Sequence, residues 1–313
     1  MDTVEKTQRL RIEEALSAHL ELLSGGVSGA STYEVHGLSE PCVLKVVAAE
    51  SADDVRARGY REICFYNELA VRIPLRTPRV LASLTEASGY RALLIAAYTP
   101  IKSANELKDD TFVEIARELA SFHAVYWNHT DQFDAFPWLA KPRTTDLTED
   151  ARHAYETWQA LAQQPRLRKI LTDTTLRDIE AALVEVRTKP EYGSDTAVTL
   201  CHGDCHLDNL LHDGDGRLIW ADWQEVRVGY GPSDLTFLIQ RAEASGADIA
   251  HDIIITAYYN ALEAAGVEDV NEDAIESAMN ESERRTRLLY WPDYMRDATP
   301  ETMAHHLTRI FSA

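Results

Sequence analysis

Basic residues are scarce in this chain. Of 313 residues, 31 are Lys or Arg against 51 Asp or Glu, a formal net charge of −20. So acidic a surface repels phosphate backbones and anionic lipid, which argues against nucleic acid or a membrane as a partner. It attracts cationic small molecules, although charge on this scale also serves solubility alone. Cysteine is sparse too, with only Cys42, Cys64, Cys201 and Cys205. These four form no evident disulfide framework, which suits a reducing cytoplasm. No apolar run approaches the ~20 residues that span a bilayer. The opening residues, Met1-Asp-Thr-Val-Glu-Lys6, lack the apolar stretch and small-residue cleavage site of a signal peptide. Internal repeats and low-complexity tracts are also missing. What is present is ordinary for a folded chain: 45% hydrophobic and 26% charged residues, with length for a sizeable core in two lobes or domains.

One stretch carries chemistry, Leu200 to Trp223. Val198 to Cys201 reads as the end of a buried strand. Asn209-Leu-Leu-His and Arg217-Leu-Ile-Trp are apolar runs separated by Asp213-Gly-Asp-Gly216, a hairpin signal. Pairing outward from that turn brings Asn209 and Asp222 to one open end, with Asp204 on the loop just before. Two carboxylates and an amide thus converge where a divalent metal and a proton acceptor can both be housed. This suits phosphoryl transfer. Asp222 and Asn209 offer the oxygens magnesium prefers, and Asp204 can accept the proton of an attacking hydroxyl. Two other readings fit less well. Cys201, His202, Cys205 and His206 have zinc-binding residue types, but no second pair lies at the usual spacing. A calcium loop built on the Asp-Gly-Asp-Gly run puts Leu211 where the leading acidic ligand belongs.

His202-Gly-Asp204, Asn209 five residues later, and Asp222-Trp223 after a hairpin resemble the aminoglycoside phosphotransferase and choline-kinase-like family of small-molecule kinases. Ala221 replaces the bulkier residue usual before the metal-binding Asp. The resemblance implies an α+β, bilobal protein-kinase-like fold, with a small β-rich N-lobe over 1–98 and a larger, mainly helical C-lobe over 99–313. It implies Asp204 as the catalytic base or orienting group, and Asn209 and Asp222 as Mg2+ ligands. The glycine- and serine-rich stretch after Leu23 matches the loop over the nucleotide, with Ser28 near its tip; backbone amides there can make an anion nest. Lys45, a lone charge in the apolar run Cys42 to Ala48, needs an anionic partner. By resemblance it anchors phosphates. Its acidic partner is Glu62, with Glu68 the competitor on the same helix. The nucleotide base, of ATP or GTP, would bond to backbone near Ala96 to Tyr98.

Periodicity predicts helices over about 4–23, 61–70, 110–127, 150–163, 167–189, 235–244, 248–265, 271–290 and 300–311, with Ser233 or Asp234 capping the sixth. His123 falls on a core helix and reads as a packed histidine. On the acceptor side, Glu281, Glu283, Trp291 and Asp293 are candidates, since ring faces and carboxylates hold cations. Core aromatics and a solvated acidic face account for them equally well. The expectation is an ATP- or GTP-dependent transferase acting on a hydroxyl of a small cationic molecule, as a monomer or weak dimer. An antibiotic such as an aminoglycoside or a tuberactinomycin-type peptide is the first choice of acceptor, which would confer resistance by inactivation. A metabolic kinase for choline or an amino sugar is the enzyme alternative, and a non-catalytic kinase-like binding module the other.

Overall fold

The computed structural model describes residues 12–14, 17–23, 29–140, 147–188, 198–268 and 270–311. They fall into two compact units. The first is drawn from Met1–Glu106, Phe133–Ala140 and His202–Arg227, and the second from Leu107–Gln132, Lys141–Cys201 and Val228–Ala313. Both short returns into the first unit lie beyond residue 98.

The first unit is organised on a five-stranded antiparallel sheet of order β1-β2-β3-β5-β4: β1 (His19–Leu22), β2 (Ser31–His36), β3 (Cys42–Val47), β4 (Val80–Thr85) and β5 (Arg91–Ala96). β3 lies at the centre and alternates cleanly. Cys42, Leu44 and Val46 join a core with Leu20, Tyr33, Val35 and Leu94 on one face. Lys45 therefore points to the other face, opposite Thr32 on β2 and Leu93 on β5. Helix α1 (Asp53–Cys64) covers that face at close range: a Cβ on Gly59 would stand 2.8 Å from the Val47 side chain. β6 (Thr99–Pro100), β8 (Leu210–His212) and β9 (Leu218–Trp220) make a second, three-stranded sheet in the same unit.

Four departures from the sequence reading have physical causes. The helix expected over 4–23 gives way to β1 at its C-terminal end, where four residues pair with β2 and Leu20 enters the core. Tertiary pairing outweighs the helical preference of Leu and Glu there. Residues 4–11 of that helix lie outside the described residues. The helix placed over 61–70 starts earlier, at Asp53, and leaves α geometry at Phe65, passing through a π turn (Phe65–Leu69) and a 3₁₀ turn (Ala70–Arg72). The helix expected from Leu167 begins at Asp173. Neither Ser233 nor Asp234 caps the helix that follows the hairpin, because Pro232 opens it at the first position. Ser233 instead donates to the Tyr230 carbonyl at 2.6 Å.

The second unit is helical: α2 (Asp109–Ala124), α3 (Thr148–Ala162), α4 (Asp173–Thr188), α5 (Pro232–Ala244), α6 (His251–Ala264), α7 (Glu272–Leu289) and α8 (Pro300–Phe311), with a short ladder of β7 (Thr199–Cys201) and β10 (Arg227–Gly229). Trp158, Ile179, Leu288 and Ile310 centre its apolar core between α3, α4, α7 and α8. His123 is fully buried on α2, 2.7 Å from the Tyr258 hydroxyl and 3.3 Å from Asp234, so its ring is held on both sides. Among the described residues, no helix is long and apolar enough to cross a membrane.

Buried His306 joins α8 to α7. Its Nε2–H donates to the Arg287 carbonyl and its Nδ1 accepts from the Arg287 guanidinium, each at 3.1 Å. Burial first, and then the Arg287 charge, push its pKa down to about 3. A folded-state pKa below the unfolded value of about 6.5 means that the unfolded chain takes up the proton first. Stability then falls as pH drops below about 6.5. The wild type's excess stability over His306→Gln should therefore shrink by about 1.4 kcal/mol between pH 7.5 and 5.5, read by urea unfolding. Parallel pH curves for the two proteins would show that His306 is not the group responsible.

Candidate active site

β3 delivers Lys45 to the end of α1, and the β8–β9 hairpin delivers Asp222. The Lys45 ammonium donates to Glu62 Oε1 at 2.7 Å and to Asp222 Oδ1 at 2.8 Å. Glu62 is 4% exposed. Glu68, the competing candidate, accepts from the Trp138 indole at 3.0 Å instead. The hairpin is closed by Asp213, whose carboxylate accepts from the Asp215 and Arg217 amides at 2.9 Å each. Its register sets Leu210 opposite Trp220, and the Ala221 amide donates to the Asn209 carbonyl at 2.9 Å. Asn209 and Asp222 thus emerge together at the open end. Asp222 adopts left-handed backbone angles, φ 61° and ψ 62°, a conformation sparsely populated outside glycine.

The loop before the hairpin is tied to the same point. His202 Nε2–H donates to the Ala221 carbonyl at 2.9 Å, so its Nδ1 is the acceptor for the Asp204 amide at 3.3 Å. The Asn209 amide donates to the Asp204 carbonyl at 2.8 Å and lies 3.4 Å from its carboxylate. Trp223 stacks face to face on Phe65 of the π turn, with ring centroids 4.0 Å apart, and the His202 ring lies tilted against the same indole at 4.5 Å. Arg61 donates to the Gln224 carbonyl at 2.8 Å. All of these residues belong to the first unit.

A profile of the family described as "Phosphotransferase enzyme family" matches residues 19–268. The chain belongs to this phosphotransferase family. No curated protein matches it in sequence. In fold, the phosphotransferase is similar to the GDP and kanamycin complex of APH(2")-IIia, at TM-score 0.64 and 14% identity over 99% of this chain and 98% of that one. It is also similar to the macrolide 2'-phosphotransferase MphH from Brachybacterium faecium, at TM-score 0.55 and 15% identity over 96% and 97%. A microcompartment-associated aminopropanol kinase gives TM-score 0.50 and 14% identity over 96% and 94%. At such identities the likeness is one of fold.

The electrostatics of this candidate site follow from burial and pairing. Burial alone would favour a neutral Lys45, but Glu62 and then Asp222 outweigh it, and the ammonium stays charged. Burial likewise opposes the charged form of Asp204. The hydrogen bond and charge of His206, with His202 and Asn209, reverse this and hold its carboxyl below the usual carboxylate range. The oxygen donors of Asn209 and Asp222, beside a cluster of one ammonium and two carboxylates, suit a hard divalent cation.

The remaining sequence candidates separate. Ser28 lies outside the described residues. The Ala96 and Ala97 amides donate to the Arg79 and Pro41 carbonyls, both at 2.9 Å, so neither is free to donate to a base. The Tyr98 hydroxyl accepts from the Arg79 amide at 3.3 Å. Glu281, Glu283, Trp291 and Asp293 do not form one site. Glu283 is held by Arg287 and Arg309. Asp293 is held by His153 at 3.0 Å and by the Thr157 hydroxyl at 3.2 Å. Trp291 lies under the Arg287 guanidinium. Glu281 keeps one oxygen without a hydrogen-bond partner, on a groove shared with Glu185, Asp273 and Glu276.

Two residues escaped sequence reasoning. His206 Nε2 lies 3.2 Å from the Asn209 amide and 3.6 Å from Asp204. Tyr66, one helical turn beyond Glu62, buries a hydroxyl without a hydrogen-bond partner, and burial and then the Glu62 and Asp222 charges push its pKa well up. The spacing of Tyr66 from Glu62 was the available signal; His206 occupies a variable position of its motif and entered the sequence reading only as a zinc-type ligand.

Gly203 is the residue the loop cannot replace. It has φ +83°, and a Cβ there would stand 2.0 Å from the Glu225 carbonyl oxygen. Gly203→Ala should destabilise the protein by at least about 2 kcal/mol, read as a lower unfolding midpoint in urea. A midpoint equal to wild type would mean that the loop has room the geometry does not give it.

Proposed function

We propose that this phosphotransferase moves the γ-phosphate of ATP or GTP to a hydroxyl of a small cationic molecule, with an antibiotic as the acceptor of first choice. The observation that carries the reading is the meeting of Lys45, Glu62 and Asp222 beside the Asp204–Asn209 loop. In this reading Lys45, oriented by Glu62, binds the phosphates. Tyr98 faces the base, the Ala96 and Ala97 amides being engaged with the Arg79 and Pro41 carbonyls. Asn209 and Asp222 hold magnesium, which when bound neutralises charge on the phosphates.

Asp204 faces the acceptor hydroxyl. A carboxylate held below its usual range is a weak base, so orientation of the hydroxyl is its larger contribution, with the proton passing to it as the new oxygen–phosphorus bond forms and the γ-phosphorus bond to the bridging oxygen breaks, releasing the nucleoside diphosphate. This fits a reaction in which positioning and charge stabilisation supply most of the rate. The cationic acceptor is supported by the charge of −20 and by the carboxylates of Asp273, Glu276 and Glu281 on one groove, where Arg284 pairs with Glu185 at 3.0 Å and lies 3.8 Å from Glu281. Glu283 and Asp293 are not carried into the proposal, because guanidinium, imidazole and hydroxyl groups already occupy them. A metabolic kinase for a small amino alcohol remains the second reading, on the likeness to the aminopropanol kinase.

The test is a panel of aminoglycosides, cationic peptides, macrolides and choline-like amines, incubated with ATP or GTP and magnesium and scored by the mass gain of one phosphoryl group. One class of cationic acceptor should gain it. Asp204→Asn should lower that turnover by about 10²–10⁴-fold while nucleotide still binds. Normal turnover by Asp204→Asn would remove Asp204 from the mechanism, and mass gain confined to uncharged acceptors would refute the cationic substrate.

A further inference from the structure

β1 and β2 bring four metal-ligating side chains to one face of the first unit's sheet. Their antiparallel register sets His19 opposite His36 and, two residues along, Glu21 opposite Glu34. Leu20, Tyr33 and Val35 alternate with these and enter the core, so the quartet lies on the face turned away from it. All four side chains are open to solvent, with exposures between 44% and 68%. The two imidazoles are stacked, 24° from parallel with ring centroids 6.3 Å apart. His36 sits between the carboxylates, its Nε2 3.3 Å from Glu21 and its Nδ1 3.9 Å from Glu34. His19 turns Nδ1 to Glu13 at 3.1 Å, and Glu13 is itself anchored by the Leu20 amide at 2.8 Å. Like charges directly opposite each other on paired strands are destabilising, and Glu21 and Glu34 are such a pair.

We propose that His19, Glu21, Glu34 and His36 form a binding site for a divalent metal of the zinc, copper and nickel group. Imidazoles select these ions, whereas magnesium asks for oxygen ligands and gives up its waters reluctantly. A dication held between Glu21 and Glu34 offsets their repulsion. The carboxylate of Glu13 on His19 Nδ1 leaves Nε2 as the nitrogen for the metal, the carboxylate–histidine arrangement in which ligating histidines are usually held. His36 supplies the second nitrogen. Side chains directly opposite on paired strands start with Cβ atoms about 4.5–5.5 Å apart, and exposed imidazoles and carboxylates close on one ion from there by rotation of their own side chains. Ligands from both strands would clip β1 to β2. The Lys45 cluster takes no part in this binding.

The test titrates zinc chloride into the full chain by isothermal calorimetry, without nucleotide and with excess magnesium to fill sites that prefer a hard cation. Wild type should bind zinc at a site that His19→Gln and His36→Gln each weaken by about tenfold or more, a lost metal ligand counting for at least as much as a hydrogen bond to a charged group. Both side chains are exposed, so both variants should keep the circular dichroism of wild type. On the unaltered chain, paramagnetic cobalt(II) under the same conditions should broaden the amide NMR signals of Leu20 and Val35, which lie between the ligands in sequence, before those of Asn209 and Asp222. That measurement decides even if a variant fails to fold. No zinc binding by wild type, undiminished binding by either variant, or broadening that begins at Asn209 and Asp222 would each overturn the proposal.

Discussion

Lys45 between two carboxylates is the constraint on which the first unit depends. The ammonium joins residues 17 and 177 positions away in the chain, Glu62 on α1 and Asp222 after the hairpin. A lysine in the middle of a sheet is tolerable only because those partners are there, and removing it would leave buried Glu62 beside half-buried Asp222 with no counter-charge between them. By formal charge, one ammonium against two carboxylates leaves one surplus negative charge, and burial pushes the Glu62 carboxyl up. That surplus is what a divalent cation on Asp222 and Asn209 would neutralise, so the structural clasp and the proposed chemistry share one electrostatic cause.

Other contacts keep this clasp in place. The Phe65–Trp223 stack and the Arg61 bond to Gln224 fix α1 to the segment after Asp222. His202 ties the Asp204 loop to Ala221, and Asn209 ties it to the hairpin. The strain of a left-handed Asp222 persists because these contacts over-determine it. Unpartnered Tyr66 sits beside the same charges, a buried hydroxyl at the edge of the Lys45 cluster.

The sequence made the hairpin legible, because Asp-Gly-Asp-Gly between two apolar runs has one economical conformation. Lys45 was legible as a charge needing a partner, but Glu62 and Glu68 stood on the same helix, and only the turn to π geometry at Phe65, with Trp138 taking Glu68, separates them. β1 was not legible, since Leu20 with its neighbours suits a helix as well and pairing with β2 decides the matter. The acceptor candidates failed to cluster because acidic residues on helix faces find arginines: Glu283 looked free in sequence and lies between Arg287 and Arg309. Local pattern reports charge, while only packing reports what neutralises it.

The central claim is that Lys45 is poised for a nucleotide phosphate. It is tested most directly by titrating the non-hydrolysable β,γ-imido analogues of ATP and GTP, with magnesium, into wild type and Lys45→Met by isothermal calorimetry. The account predicts magnesium-dependent binding of at least one analogue to wild type, weakened about tenfold or more by Lys45→Met with the fold intact by circular dichroism, as expected for a lost charge-assisted hydrogen bond. Undiminished binding by a folded Lys45→Met would contradict it.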